Sequence, residues 1–287
     1  MKRLKTVVGQ YHHMRPLRDA TVKPERAELE FVDFKAVGAS FNDMLKDQRY
    51  DVCEMALVAF MQAVERGAPI RMLPVVALGG FVHRSIYYMP SRGPLTPFEL
   101  ADKRIGVRSY SQTTGVWARG VLAEQFGLDL TSPTWVATDD AHVAGFQDPS
   151  NVENLGTREA MGSLLLAGTV DAAVLHPTQR PAAEFAPLIA DPEKAAADWF
   201  DRHRVVPANH VICVAPSVWN DPRLLEDVYS MFVRSYRAAG VPEANDRDPL
   251  SYDHPHLIKT VKVASDLALQ QQLISAPFNA ADAVIAL

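Results

Sequence analysis

The chain has 287 residues, 48% of them hydrophobic and 22% charged, and a formal net charge of −5. This length allows one large or two ordinary domains with a sizeable core, in an ordinary soluble balance. The acidic charge and the lack of a basic run argue against nucleic acid as a partner, and no apolar run is long enough to span a membrane.

Leu4 to Val8 reads as a first strand running into the polar, aromatic cluster Gln10-Tyr11-His12-His13. That cluster also interrupts the basic start before any apolar run of signal-peptide length, so a cytoplasmic protein is expected. Leu29 to Phe34 alternates as a second strand, and Ser40 to Lys46 is a short helix with Phe41, Met44 and Leu45 on one face. Tyr50 to Leu57 is a strand feeding a helix that runs to about Arg66 and ends at Gly67-Ala68-Pro69. Ile70 to Leu78 is a buried strand broken by Gly79-Gly80, and Phe81 to Met89 is another. Cys53 and Cys213, far apart and in apolar contexts, read as buried free thiols of a reducing compartment rather than a disulfide framework or a metal site.

The organising stretch is Arg104 to Gly120. Ile105-Gly106-Val107 reads as a buried strand. A run of hydroxyls and an amide follows, Ser109 to Thr114, and then Val116, Leu122 and Phe126 recur at roughly helical spacing. A strand that ends in Ser/Thr and opens a helix offers backbone N–H groups, the helix dipole and hydroxyls to a carboxylate or phosphate. Arg108, just before the turn, adds a bidentate clamp. The plainer alternative is that Ser111 or Thr113 caps the helix.

Beyond it, Thr134 to Val136 is a short strand, 139–154 is irregular, and Arg158 to Leu166 is helical up to Gly168. Val170 to Leu175 is a buried strand ending at His176-Pro177, Ala195 to His203 a helix, and Val211 to Val214 a strand. Leu224, Val228, Phe232 and Tyr236, each four apart, mark an amphipathic helix over Arg223 to Ala239. Leu257 to Gln272 and Ala280 to Ala286 close the chain as helices. Strand–helix alternation occurs twice, without an internal repeat. The expectation is an α/β protein of two lobes, with 1–85 and 213–287 forming a discontinuous first lobe and 86–212 the second, two crossing strands joining them, and a ligand cleft between.

Four segments in this order resemble the 4,5-dihydroxyphthalate decarboxylase family: Asp51-Val52-Cys53-Glu54-Met55-Ala56-Leu57, Phe81-Val82-His83-Arg84-Ser85-Ile86-Tyr87, Tyr110-Ser111-Gln112-Thr113-Thr114-Gly115-Val116-Trp117-Ala118-Arg119-Gly120, and Pro207-Ala208-Asn209-His210. The third is the most specific. The resemblance implies a type 2 periplasmic-binding-protein-like fold and decarboxylation of a hydroxylated aromatic dicarboxylate, 4,5-dihydroxyphthalate to protocatechuate and CO2. His12 stands where the family pattern leads one to expect an acid after the tyrosine.

Such chemistry needs no redox cofactor. It needs a cationic clamp for the retained carboxylate, an acid for the ring carbon and a partner for the phenol. Arg84, Arg108 and the helix start at Ser111, Gln112, Thr113 and Thr114 are the candidates for the clamp. His210 and His83 are the candidate acids, and Glu54 would take the phenol proton or orient a histidine. Tyr11, His12, His13 and His176, after the first and a later strand, complete the substrate-facing set. Neither dinucleotide nor P-loop glycine patterns occur, no GxSxG elbow supports a hydrolase, and no His/Asp group has a dedicated metal spacing. A small aromatic carboxylate is thus the expected partner, with self-association left open. Two rivals stand: a solute-binding protein for a small organic anion, and another lyase on the same fold, such as those of menaquinone biosynthesis.

Overall fold

The computed structural model describes residues 1–175, 182–242, 247–250 and 252–287. Eleven strands are found among them: β1 Lys2–Val7, β2 Ala27–Phe31, β3 Val52–Ala56, β4 Arg71–Gly79, β5 Ile86–Tyr88, β6 Arg104–Val107, β7 Thr134–Ala137, β8 Val152–Asn154, β9 Ala172–Val174, β10 Ala186–Pro187 and β11 Ala208–Val214. The α-helices are α1 Arg15–Arg18, α2 Phe41–Asp47, α3 Leu57–Glu65, α4 Thr113–Phe126, α5 Met161–Ala167, α6 Pro192–His203, α7 Pro216–Trp219, α8 Pro222–Ala238, α9 His254–Gln270 and α10 Ala280–Ala283. The chain divides into two compact units, Met1–Gly80 with Ala208–Ser265 and Pro277–Leu287, and Phe81–Pro207 with Asp266–Ala276.

The first unit holds a sheet in the order β2-β1-β3-β11-β4. β2, β1 and β3 run parallel, and β11 enters antiparallel between β3 and β4. β3 is buried along its whole length, as a central strand covered on both faces must be. Pro74 sits within β4, which lies at the end of the sheet order, where a missing N–H costs least. α8 covers this sheet. Leu224, Val228, Phe232 and Tyr236 are all buried, and they pack with Leu4, Val52, Leu73 and Ile212 in one apolar cluster. The helix starts where Asp221 accepts the Leu224 N–H at 3.2 Å, with Pro222 in its first turn.

α8 also carries a buried acid. Asp227 accepts the backbone N–H groups of Glu25, Arg26 and Ala27 at 3.1, 2.8 and 3.2 Å, and so ties the approach to β2 onto the helix. Hydrogen bonds to a charged group are the strong ones. Asp227→Ala is therefore expected to destabilise the first unit by about 2–3 kcal/mol, read as a lowered midpoint in urea unfolding.

The second unit's sheet runs β10-β5-β9-β6-β7-β8. β9, β6, β7 and β8 are parallel, while β5 and β10 add an antiparallel edge. Its core gathers Val136, Met161, Leu164, Leu165, Val170 and Ala173. The expected strand over Phe81 to Met89 is shorter than its pattern. Only Ile86–Tyr88 pairs, and His83–Ser85 is a 3-10 turn closed by Ser85 N–H to the Val82 carbonyl at 2.8 Å. α6 begins three residues before the expected Ala195, because Asp191 caps Lys194 and Pro192 fits the first turn.

The tail, read from sequence as part of the first lobe throughout, contributes Asp266–Ala276 to the second unit. Leu267 packs where Gly120 has no side chain: a Cβ there would meet Leu267 Cδ1 at 2.6 Å. Gln271 bonds α4 twice, accepting from Arg119 Nε at 2.7 Å and donating to the Val116 carbonyl at 3.0 Å.

Candidate active site

Three neighbouring strands of the first sheet bring one acid, one imidazole and one phenol together. Glu54 lies within β3 and is wholly buried. A buried carboxylate persists only where donors replace its water. Glu54 has three. The Gly9 N–H reaches Oε2 at 2.7 Å, while the Tyr11 hydroxyl and His210 Nδ1 reach Oε1 at 2.8 and 2.5 Å. The pairing of β11 with β3 sets Ile212 opposite Glu54 and His210 opposite Ala56. His210 is thus the diagonal neighbour of Glu54 on the same face, within reach of a long side chain. Burial pushes the Glu54 carboxyl up, but the hydrogen bond and charge of His210 and the bonds from Gly9 and Tyr11 outweigh it and hold it below the ordinary value.

These bonds settle which end of each group is available. His210 gives Nδ1 to Glu54, and its Nε2 makes no hydrogen bond among the described residues. The ring packs edge-on to Phe41 at 5.6 Å, and its side chain is 17% exposed. Burial and the Glu54 charge raise the Tyr11 phenol beyond its ordinary range, which keeps it a proton donor. Gly9 makes room for this phenol, since a Cβ at Gly9 would lie 2.5 Å from the Tyr11 ring.

His13 and His12 follow Tyr11 but face differently. His13 is buried, stacked on Tyr11 at 5.3 Å and edge-on to Tyr236 at 4.8 Å, with Nε2 on the Ala77 carbonyl at 3.1 Å. Burial lowers its pKa to about 4, so it is neutral at pH 7. His12 is exposed.

In the second unit His83 turns inward. It is 1% exposed, sits 6.2 Å from Trp199 and holds Gln125 Oε1 through Nε2 at 3.0 Å. Burial lowers it to about 4 as well. Arg84 is exposed and ion-paired with Glu193. Arg108 is also exposed, 3.6 Å from Asp139 Oδ2 and 3.3 Å from His142 Nε2. Ser111, Thr113 and Thr114 are buried at the start of α4, and Ser111 Oγ lies 3.3 Å from Ser109 Oγ. Gln112 occupies the N-cap position without a side-chain cap bond, and the first turn of α4 carries no acid. The expectation of a Ser or Thr at the cap is thus replaced by Gln112 in that position. His176 lies outside the described residues.

The same block also holds a buried cation. Arg119 is a wholly buried guanidinium on α4. Its signal in the sequence is a cation inside the apolar run Val116 to Leu122. Among the described residues no group of three or more His, Cys, Asp or Glu is disposed to hold a metal ion, and no helix is long and apolar enough to cross a membrane.

Two α/β units, each with a mixed sheet and the first interrupted by the second, make a type 2 periplasmic-binding-protein fold. The periplasmic aliphatic sulphonate binding protein SsuA from Escherichia coli is similar over 100% of this chain and 92% of its own, with a TM-score of 0.65 and 12% identity. No family model matches the sequence. Among characterised proteins the chain is 31% identical to the 4,5-dihydroxyphthalate decarboxylase of Pseudomonas putida over 212 residues, covering 69% of this chain and 81% of that one. It is 29% identical to the enzyme of the same name from Comamonas testosteroni over 230 residues, 74% of this chain and 67% of that one. The chain belongs to the 4,5-dihydroxyphthalate decarboxylase family.

Proposed function

We propose that the protein is a cofactor-independent carboxy-lyase that converts 4,5-dihydroxyphthalate to protocatechuate and CO2. The observation that supports it most is the Glu54–His210 pair, in which a buried carboxylate holds one ring nitrogen and leaves Nε2 for chemistry. In this reading His210 Nε2–H protonates the ring carbon that bears the leaving carboxylate. The phenol oxygen para to that carbon releases electron density toward it as the proton arrives. The bond from carbon to carboxylate then breaks, its electron pair restores the aromatic ring, and CO2 departs. The ring gains one proton for the carboxylate lost, and His210 recovers its proton from solvent. Glu54 stabilises the imidazolium and fixes the ring's orientation, as a carboxylate does for a catalytic histidine elsewhere.

The helix start of α4, with Arg108, is assigned to the retained carboxylate. Arg84, paired with Glu193, is assigned no direct contact, and His83, neutral at pH 7, no proton transfer.

The test is turnover. Purified protein incubated with 4,5-dihydroxyphthalate should release CO2 and accumulate protocatechuate, followed by mass spectrometry. Tight binding of the diacid without any product would favour the solute-binding reading instead. Loss of CO2 from other diacids but not from this one would favour another lyase.

A further inference from the structure

The geometry points to Arg119 as a positioning residue that gives the start of α4 its affinity for a substrate carboxylate, acting as a buried positive charge alongside the turn. This deepens the reading above and rests on it for the identity of the substrate.

Arg119 is 0% exposed, yet no carboxylate contacts it among the described residues. Its neighbours are dipoles and rings. Nε donates to Gln271 Oε1 at 2.7 Å, NH2 donates to the Tyr110 carbonyl at 2.5 Å, and the guanidinium lies 3.9 Å from the Tyr110 ring centre and 5.3 Å from that of Trp135. NH1 has no hydrogen-bond partner. Burial lowers the guanidinium to about 10, which still leaves it charged at neutral pH. The one acid whose charge it senses, Asp148, makes no ion pair with it, and Asp148 Oδ1 is itself without a partner. A buried ionised group with no counter-charge in direct contact is costly unless something supplies one.

The place where an anion would supply it follows from helix geometry. Side chains of an α-helix lean toward its N-terminus, so Arg119 reaches back over residue 115. That residue is Gly115, and a Cβ there would lie 3.3 Å from NH1. Tyr110, bonded to NH2, precedes the turn. The guanidinium is therefore held against both ends of the segment 110–115, the segment that opens a 14-residue helix with no capping side chain at Gln112 and no acid in its first turn. The helix dipole and the guanidinium charge act in the same direction on an anion placed there.

Phthalate is the probe, because it carries both carboxylates but lacks the ring hydroxyls that drive decarboxylation. Calorimetric titration should show it binding to the wild-type protein, more weakly as salt rises. Arg119→Met should weaken that binding by roughly tenfold or more, whereas Arg119→Lys should stay within about threefold, since charge and not shape is what acts. Gln271→Glu tests the same charge without deleting a buried side chain: it places a carboxylate on Nε and should also weaken phthalate several-fold, roughly as a partly neutralised cation would. With 4,5-dihydroxyphthalate the Arg119→Met loss should appear in KM, with kcat little changed.

A folded Arg119→Met or Gln271→Glu protein that binds phthalate like the wild type overturns the inference, as does a wild type that does not bind phthalate at all while still turning over its substrate. Should Arg119→Met fail to fold, Gln271→Glu and Arg119→Lys decide it. Charge-dependent phthalate binding in a protein that decarboxylates nothing leaves this inference standing and removes the proposed reaction.

Discussion

Glu54→Gln is expected to lower kcat for 4,5-dihydroxyphthalate by about 10³–10⁴-fold, the scale of the same acid-to-amide change beside a catalytic histidine. The reason is a count of donors and acceptors. Gly9 N–H, the Tyr11 hydroxyl and His210 Nδ1 all point at one side chain. A carboxylate accepts all three, but an amide has one acceptor oxygen and presents two N–H donors of its own. Either the Gly9 donor or the imidazole must then face an N–H. If the ring turns or switches tautomer to avoid this, Nε2 loses its proton or its direction.

The protein should still fold, at a cost of about 1–3 kcal/mol for the unsatisfied buried donor. His210→Gln should be equally inactive, because the proton donor itself is gone. The double variant should be no worse than either single one, as expected of groups that act as a unit. Glu54→Gln activity within about threefold of wild type, at intact circular dichroism, would remove Glu54 from the reaction.

Much of the fold was legible because its elements announce themselves locally. Leu224, Val228, Phe232 and Tyr236 repeat with the helical period, and they are the face α8 buries. β4 is a nearly continuous apolar run after Arg71, and β3 is one broken only by Glu54. The site was legible only in part, because its decisive contacts are long-range. Glu54 is one strand position whose partner His210 lies 156 residues away. The sequence makes Arg84 and Arg108 equal candidates for the clamp. Their ion pairs with Glu193 and Asp139 depend on where those loops come to rest. His83 sat in a mixed polar and apolar run that suggested a strand, but the Val82–Ser85 turn rotates it inward against Trp199. The bond from the Tyr11 hydroxyl to Glu54 spans 43 residues and has no local signal. Nothing in the residue pattern marks Gly9, whose role exists only once the Tyr11 ring lies over it.

Acidification should destabilise both units from about pH 6.5 downward, through two histidines that do no chemistry in the proposed reaction. His13 in the first unit and His83 in the second are each lowered from 6.5 to about 4, mainly by burial. A depressed pKa means that the unfolded chain binds a proton at a pH where the folded one does not. The stability each contributes is present in full above pH 6.5 and is lost as the pH falls toward 4. From the size of the shifts, the loss is about 3 kcal/mol for each histidine once the pH is below 4. Glu54 acts in a lower window. Its carboxyl is held below the ordinary value, so its contribution persists above the unfolded carboxylate range and disappears only on further acidification. Urea unfolding followed by pH separates the groups. His13→Asn should flatten the profile between pH 6.5 and 4 for the first unit, His83→Asn for the second, and Glu54→Gln should leave that interval unchanged. Neither asparagine can take up the proton, so a profile that keeps the wild-type slope in both variants would place the acid sensitivity elsewhere.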